Sequence, residues 1–381
     1  MRRSAIPQAF LKRRPPESLQ MSADSSVGDA ACPGKSTRSP FTTGLAQQRS
    51  TAWYPMPPFL LLLQIALPIA LLAWLGLAPV HGRGPYIVQV LSTAVVLVTI
   101  GLVAPWAMPP WWVPYAYAGI FGVIVALHWR RRSSDRRAVP ARVRDVAAIV
   151  PLLGLACFGG LQSAQAIDGH RLPDGDVVSL ASPVADGHLI VENGGATLAV
   201  NGHLHTADPA DPLHATAFGQ ARAVDLIVID RLGLRSNGFW PTDPARYVSF
   251  GHPVVAPCEG TVVTSEDGHA DQPVPQQDLS PPSGNHVMLD CGAVRVVLAH
   301  LQRGSIAVDP GQAVSTGDRI GRIGNSGAST EPHLHIHAER PDPAGGQSGR
   351  PVWLLIDDRF LARNDRLRGT ASPGATSAAP Q

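Results

Sequence analysis

Pro332-His333-Leu334-His335-Ile336-His337 alternates imidazole with aliphatic side chains. Alternate residues of a strand share a face. The stretch therefore predicts a β-strand that turns Leu334 and Ile336 into a core and aims three imidazoles the other way. Gly324-Asn325-Ser326-Gly327 upstream reads as a turn. A bare His-x-His is weak evidence by itself, because surface strands carry such pairs by chance. What lies further out decides its meaning.

Outward from that strand the chain reads as short strands separated by turn residues. Val177 to Leu180, His188 to Val191 and Thr197 to Val200 are divided by Asp-Gly and Gly-Gly pairs. Then come Ala223 to Ile229, Pro253 to Ala256, Gly260 to Val263, Asn285 to Leu289, Val294 to Ala299 and Arg319 to Ile323. This spacing, with little helical periodicity, predicts an all-β antiparallel domain. Ser265 to Gly284 is polar and proline-rich, and reads as a long surface loop beside a binding site. Residues 165 to 365 hold 12 of the 14 histidines.

Two residues stand out. Asp225 is a lone carboxylate in the apolar strand Ala223 to Ile229. A charge there costs several kcal/mol unless it is paired or metal-bound; a salt bridge to Arg222 is the simple alternative. His300 ends the apolar run Val294 to Ala299, where a surface histidine is the simple alternative. Zinc takes three or four ligands from His, Asp, Glu or Cys and keeps a position for water when it is catalytic.

At this point a set of motifs falls into order: Gly251-His252-Pro253-Val254-Val255-Ala256-Pro257, Gly260-Thr261-Val262-Val263, Gly284-Asn285-His286-Val287 and Ala299-His300-Leu301. Gly311 to Val314, Gly317 to Gly324, Asn325-Ser326-Gly327 and Pro332-His333-Leu334-His335 follow. Over residues 215–345 the chain resembles the lysostaphin-like (LytM-type) zinc metallopeptidases. The resemblance implies an antiparallel sheet with a groove over it, a zinc ion, and hydrolysis of peptide cross-links in bacterial peptidoglycan. It implies Asp225 and His335 as zinc ligands, and His300 and His333 as the histidines that activate water and stabilise the oxyanion. The family's first ligand is a histidine four residues before the aspartate. Here that position is Ala221, beside Gln220. Similarity to membrane-attached relatives with an Asn-x-His implies His203, in Asn201-Gly202-His203-Leu204-His205, as the replacement; His205, His214 and His337 are substitutes.

The N-terminal half differs in kind. Pro58 to Val80, Tyr86 to Trp106 and Trp111 to Trp129 are apolar runs that can each cross a hydrocarbon core of roughly 30 Å. Val146 to Ala164 is a weaker fourth run, with a buried or interfacial helix as its alternative. Trp106, Trp111, Trp112 and Trp129 sit at run ends, where indoles favour the interface. The expected fold class is an N-terminal α-helical membrane region of three or four spans followed by an all-β antiparallel-sheet peptidase domain. The expected boundaries are a disordered basic tail at 1–57, transmembrane helices at 58–164, an extracytoplasmic domain at 165–365 and a disordered tail at 366–381.

Arg130, Arg131, Arg132, Arg136, Arg137, Arg142 and Arg144 place the loop before the fourth run in the cytoplasm, and residues 165 onward outside. The basic tail conflicts with that orientation. Either the short loops outweigh it, or translation starts at Met56. In an oxidising compartment Cys258 and Cys291, each beside a strand, pair as a disulfide; two free buried thiols are the alternative.

The expected activity is that of a membrane-anchored zinc metalloendopeptidase. Its partners are peptidoglycan peptide and the lipid bilayer of the bacterial cytoplasmic membrane. A catalytically silent module that binds cell wall or activates a partner hydrolase is the rival, because of Ala221. A net charge of +2 argues against nucleic acid. Apolar runs nearly free of ionisable residues argue against a transporter. N-terminal sequencing of the mature protein should start at or after Met56 on the second account of the tail; recovery of residues 1–20 would exclude it.

Overall fold

The computed structural model describes residues 62–134, 143–208, 210, 215–341 and 349–369. The expected tail at 1–57, His214, most of the arginine run after Arg132, and residues 370–381 lie outside them. A helical region is followed by a sheet domain. A π-helical turn, Leu62–Ala66, leads into α1 (Leu67–Leu77); α2 (Arg83–Val103), α3 (Val113–Ser134) and α4 (Val143–Gly169) follow.

Two of these helices, α2 and α4, are long and apolar enough to cross a membrane, against the three or four spans expected. Leu62–Leu77 is too short, and the arginines at the end of α3 dilute its apolar length. The fourth run, read as the weakest, is the longest helix. At about 1.5 Å per residue its 27 residues reach about 40 Å. It continues through Gly169, past the expected boundary at 165.

The sheet domain is built on one 11-stranded sheet whose main path runs β13-β2-β3-β10-β7-β6-β5-β8. Its centre is β2 (His188–Asn193), β3 (Val224–Ile229), β10 (Leu334–Arg340) and β7 (Arg295–Leu301). β6 (Asn285–Asp290), β5 (Gly260–Glu266) and β8 (Ala313–Val314) extend one side, and β13 (Arg366–Arg368) closes the other. β4 (Pro253–Val255) and β9 (Arg319–Arg322) form a separate pair. β11 (Arg350–Ile356) joins β10 and also takes β12 (Arg359–Phe360) and β1 (Val177–Leu180).

Three local expectations are corrected. The β1–β11 pair is parallel, so the sheet is not purely antiparallel. Thr197–Val200 is a turn, because Ala196 N–H and Thr197 Oγ1 bond the carbonyls of Gly169 and Gln165 at the end of α4. Arg366–Arg368 is a strand paired with β2, so the expected tail from 366 begins too early.

Period-two alternation sets the two faces. Val224, Leu226 and Val228 of β3 and Leu334, Ile336 and Ala338 of β10 enter the main core with Leu189 and Val191. Asp225, Ile227 and Ile229 point the other way. On that second face Ile190, Ile227 and Ile229 are covered by Ala107 and Trp111, from the α2–α3 connection. Trp106 is buried, with its backbone N–H on Asn364 Oδ1, and Trp112 Nε1–H donates to Leu232 O. Arg366 lies over the Trp111 ring at 3.6 Å. These indoles, expected as an interfacial belt, instead join the helices to the sheet domain.

Cys258 and Cys291 are disulfide-bonded, with Cα atoms 6.1 Å apart. Ile336 is wholly buried between the two imidazoles that flank it in sequence. Ile336→Ala should lower unfolding free energy by about 2–5 kcal/mol, read by chemical denaturation in detergent. A cost below about 1 kcal/mol would mean that the strand does not carry the core.

Candidate metal centre

Asp225 is 4% exposed within a strand whose six residues are all buried. Its neighbour across the ladder is His335, and the His335 Nδ1 lies 3.0 Å from Asp225 Oδ1. His203 reaches the same carboxylate from the 3-10 helix Gly202–Thr206, with Nε2 3.4 Å from Oδ2. His333 Nε2 is 3.7 Å from Oδ1. Arg222, the alternative partner from sequence, turns away to the Pro351 carbonyl and the Trp353 ring.

His300 arrives by a different device. Plain alternation would send it into the core after Leu298. A register shift between β6 and β7 sets Ala299 and His300 opposite His286 alone, and His300 has φ +62°. This bulge re-aims its side chain. The His300 ring centroid stands 4.9 Å from that of His333 and 5.6 Å from that of His335.

The imidazoles are oriented from behind. His300 Nδ1 and His333 Nδ1 meet the carbonyls of Ser326 and Glu331, at 2.9 and 2.8 Å. A carbonyl only accepts, so both rings donate from Nδ1 and leave Nε2 as the atom open to the site. Glu331 is held by a buried ion pair with Arg235, which also faces Trp240 and Tyr247. Asn201 Oδ1 lies 3.1 Å from His203 Nδ1 and caps the same 3-10 helix. His337 Nδ1 lies 3.0 Å from His335 Nε2.

Electrostatics follow from burial. Burial pushes His203 from 6.5 down to about 4, with Asp225 pulling the other way. Burial likewise holds His300 well below its usual value, reinforced by His333 and His335. Burial alone would raise the Asp225 carboxyl, but His203, His333 and His335 outweigh it and hold it well below the carboxylate range. An ionised Asp225 is the state that hydrogen bonds support, since Asn193 Nδ2–H donates to Oδ2 at 3.0 Å. Burial raises the nearby Glu192.

The donor set fits a tetrahedral ion. The ligand atoms of His203, Asp225 and His335 all lie within 4.8 Å of one another. Ligands about 2.1 Å from one ion stand about 3.4 Å apart, close to the 3.4 and 3.0 Å at which His203 and His335 stand from the carboxylate. His205 is exposed and outside this group; His337 stands behind His335. Ala221 is buried and offers no ligand. Sequence reasoning missed Asn193, the donor to Asp225. Asn193 sits in Glu192-Asn193-Gly194-Gly195, which reads as a plain turn.

Residues 247–349 match the model of Peptidase family M23. Over those residues the chain is similar to Peptidase family M23. The match includes His300, His333 and His335 and begins after His203 and Asp225. The chain is 41% identical over 134 residues to an uncharacterized metalloprotease of Haemophilus influenzae. That stretch is 34% of this chain, and it spans only 22% of the relative's length. Among solved structures, the catalytic domain of the antimicrobial peptidase lysostaphin from Staphylococcus simulans is 22% identical over 33% of this chain and 73% of that one, with a TM-score of 0.22. A zinc-containing peptidase from Vibrio cholerae is 20% identical over 34% and 48%, with a TM-score of 0.20. Overlaps that low carry no weight here.

Between pH 6.5 and about 4 the unfolded chain binds a proton that folded His203 refuses. Metal-free protein should therefore lose stability as pH falls through that window. Denaturation at stepped pH should show the slope, and His203→Gln should flatten part of it. An unchanged slope in the variant would mean that His203 is not buried neutral.

Proposed function

We propose that this chain is a membrane-anchored zinc metalloendopeptidase that hydrolyses peptide cross-links of bacterial peptidoglycan on the extracytoplasmic side. One observation carries the reading: His203 brings Nε2 within 3.4 Å of the Asp225 carboxylate, which supports it as the ligand in place of the one Ala221 lacks. The silent-module reading rested on that gap. The M23 match supports peptide hydrolysis, and the lysostaphin-like motifs support a cell-wall substrate. The helices α2 and α4 support anchoring, and the Cys258–Cys291 bridge supports an oxidising compartment.

His203, Asp225 and His335 would hold the ion. When bound, zinc supplies an acidified water and polarises a carbonyl. With Nδ1 of His333 and of His300 engaged by a carbonyl, Nε2 is the atom of each ring that can take up and return a proton. The imidazole that accepts it becomes a cation, able to donate from Nε2 to a developing oxyanion or a leaving nitrogen. The Nδ1 bonds to Ser326 and Glu331 keep both rings from turning while the proton moves. Ser283 O accepts the His300 backbone N–H, so the end of the 267–284 loop walls this side of the site.

Full-length protein in detergent should contain one zinc per chain by elemental analysis, and His203→Ala should lose it. His333→Ala should keep zinc while hydrolysis of purified peptidoglycan falls about 10²–10⁴-fold. Metal-free wild-type protein would overturn the reading, and undiminished hydrolysis would remove His333 from the chemistry.

A further inference from the structure

We infer that Arg363 is a positioning residue that ties the end of helix α2 to the candidate metal ligand Asp225 through Asn193. The inference rests on the metal-centre reading above. Arg363 lies in the turn between β12 and β13 and is half-buried. Its guanidinium is set among three segments. Nε–H donates to Glu192 O at 2.8 Å and Nη2–H to Asn193 Oδ1 at 2.8 Å. Nη1–H donates to Val103 O at 2.8 Å and to Ala199 O at 3.3 Å.

Val103 is the last residue of α2, where helix carbonyls lack intrahelical donors and the dipole favours a cation. Ala199 belongs to the turn that leads into Asn201 and His203. Glu192 and Asn193 form the bulge in which two residues of β2 meet Asp225 alone on β3. One rigid fork thus holds the helix end, the segment that bears His203 and the neighbour of Asp225.

Direction follows from donor chemistry. A guanidinium donates and never accepts, so its bond to Asn193 fixes the amide with Oδ1 toward Arg363. The same amide must then turn Nδ2–H toward Asp225 Oδ2, at 3.0 Å. Were the amide reversed, its oxygen would face a carboxylate. Gly202 N–H adds a bond to Oδ1 at 3.3 Å and favours the same orientation. Groups that hold a metal-ligating carboxylate from behind typically change metal affinity 10–100-fold when removed. Lysine keeps the charge but loses the planar fork, and cannot span Glu192, Asn193 and Val103 together.

The test is zinc affinity of the full chain in detergent micelles, by competition with a chromogenic chelator, with thermal unfolding confirming that each variant folds. Arg363→Lys and Asn193→Ala should each weaken zinc binding about 10–100-fold. The double variant should be no weaker than the worse single one, because Arg363 acts through Asn193. Asn364→Ala is the control: Asn364 bonds the same helix end, at Leu102 O, Ala104 O and the Trp106 N–H. It should stay within about threefold of wild type. Wild-type affinity in Arg363→Lys, additive losses in the double variant, or an equal loss in Asn364→Ala would each overturn the inference while the metal reading stands. Wild-type protein that takes up no zinc would overturn the metal reading, and this one with it.

Discussion

A carboxylate has been placed in the middle of a strand that is buried from end to end. Left alone, Asp225 would cost several kcal/mol. The surrounding fold is arranged around that constraint. The ladder sets His335 beside it, a 3-10 helix brings His203 to its other oxygen, and the β2 bulge supplies Asn193 as a donor. An ordinary salt bridge would also neutralise the charge. Burial favours the neutral form of His203, and two imidazoles converging on one carboxylate make a donor set that suits a cation better than it suits a static ion pair.

The two faces of the central strands have separate tasks. One face is uninterrupted aliphatic core, which fixes register, since a slip by one residue would exchange Leu334 and Ile336 for imidazoles. The other face is divided along its length. Polar groups gather around Asp225, while Ile190 and Ile227 lie under the α2–α3 connection. Irregularities fall where the face must depart from alternation. The β7 bulge turns His300 outward, and the β2 bulge sets two polar residues against Asp225.

What could be read from the sequence was whatever depends on period two. The His333-to-His337 alternation gave the strand and its buried side, and Asp225 was conspicuous as one charge among aliphatics. His203 could be singled out only by resemblance, because a histidine in an Asn-Gly-His-Leu-His turn has no periodicity to place it. Bulges were out of reach: nothing in Leu298-Ala299-His300-Leu301 shows that His300 changes face. The docking of the helices was hidden for another reason. Tryptophans at the ends of apolar runs look alike whether they meet lipid headgroups or a protein surface, and Trp106 meets the latter.

The cover over Ile190, Ile227 and Ile229 bears on modularity. A domain on a loose leash can be cut away and keep a finished exterior. This one has lent part of its exterior to Ala107 and Trp111, so a fragment lacking the helices would show water a greasy shoulder on the face that carries Asp225. The seam between the helices and the sheet is therefore an internal wall of one molecule, not a hinge between an anchor and its cargo.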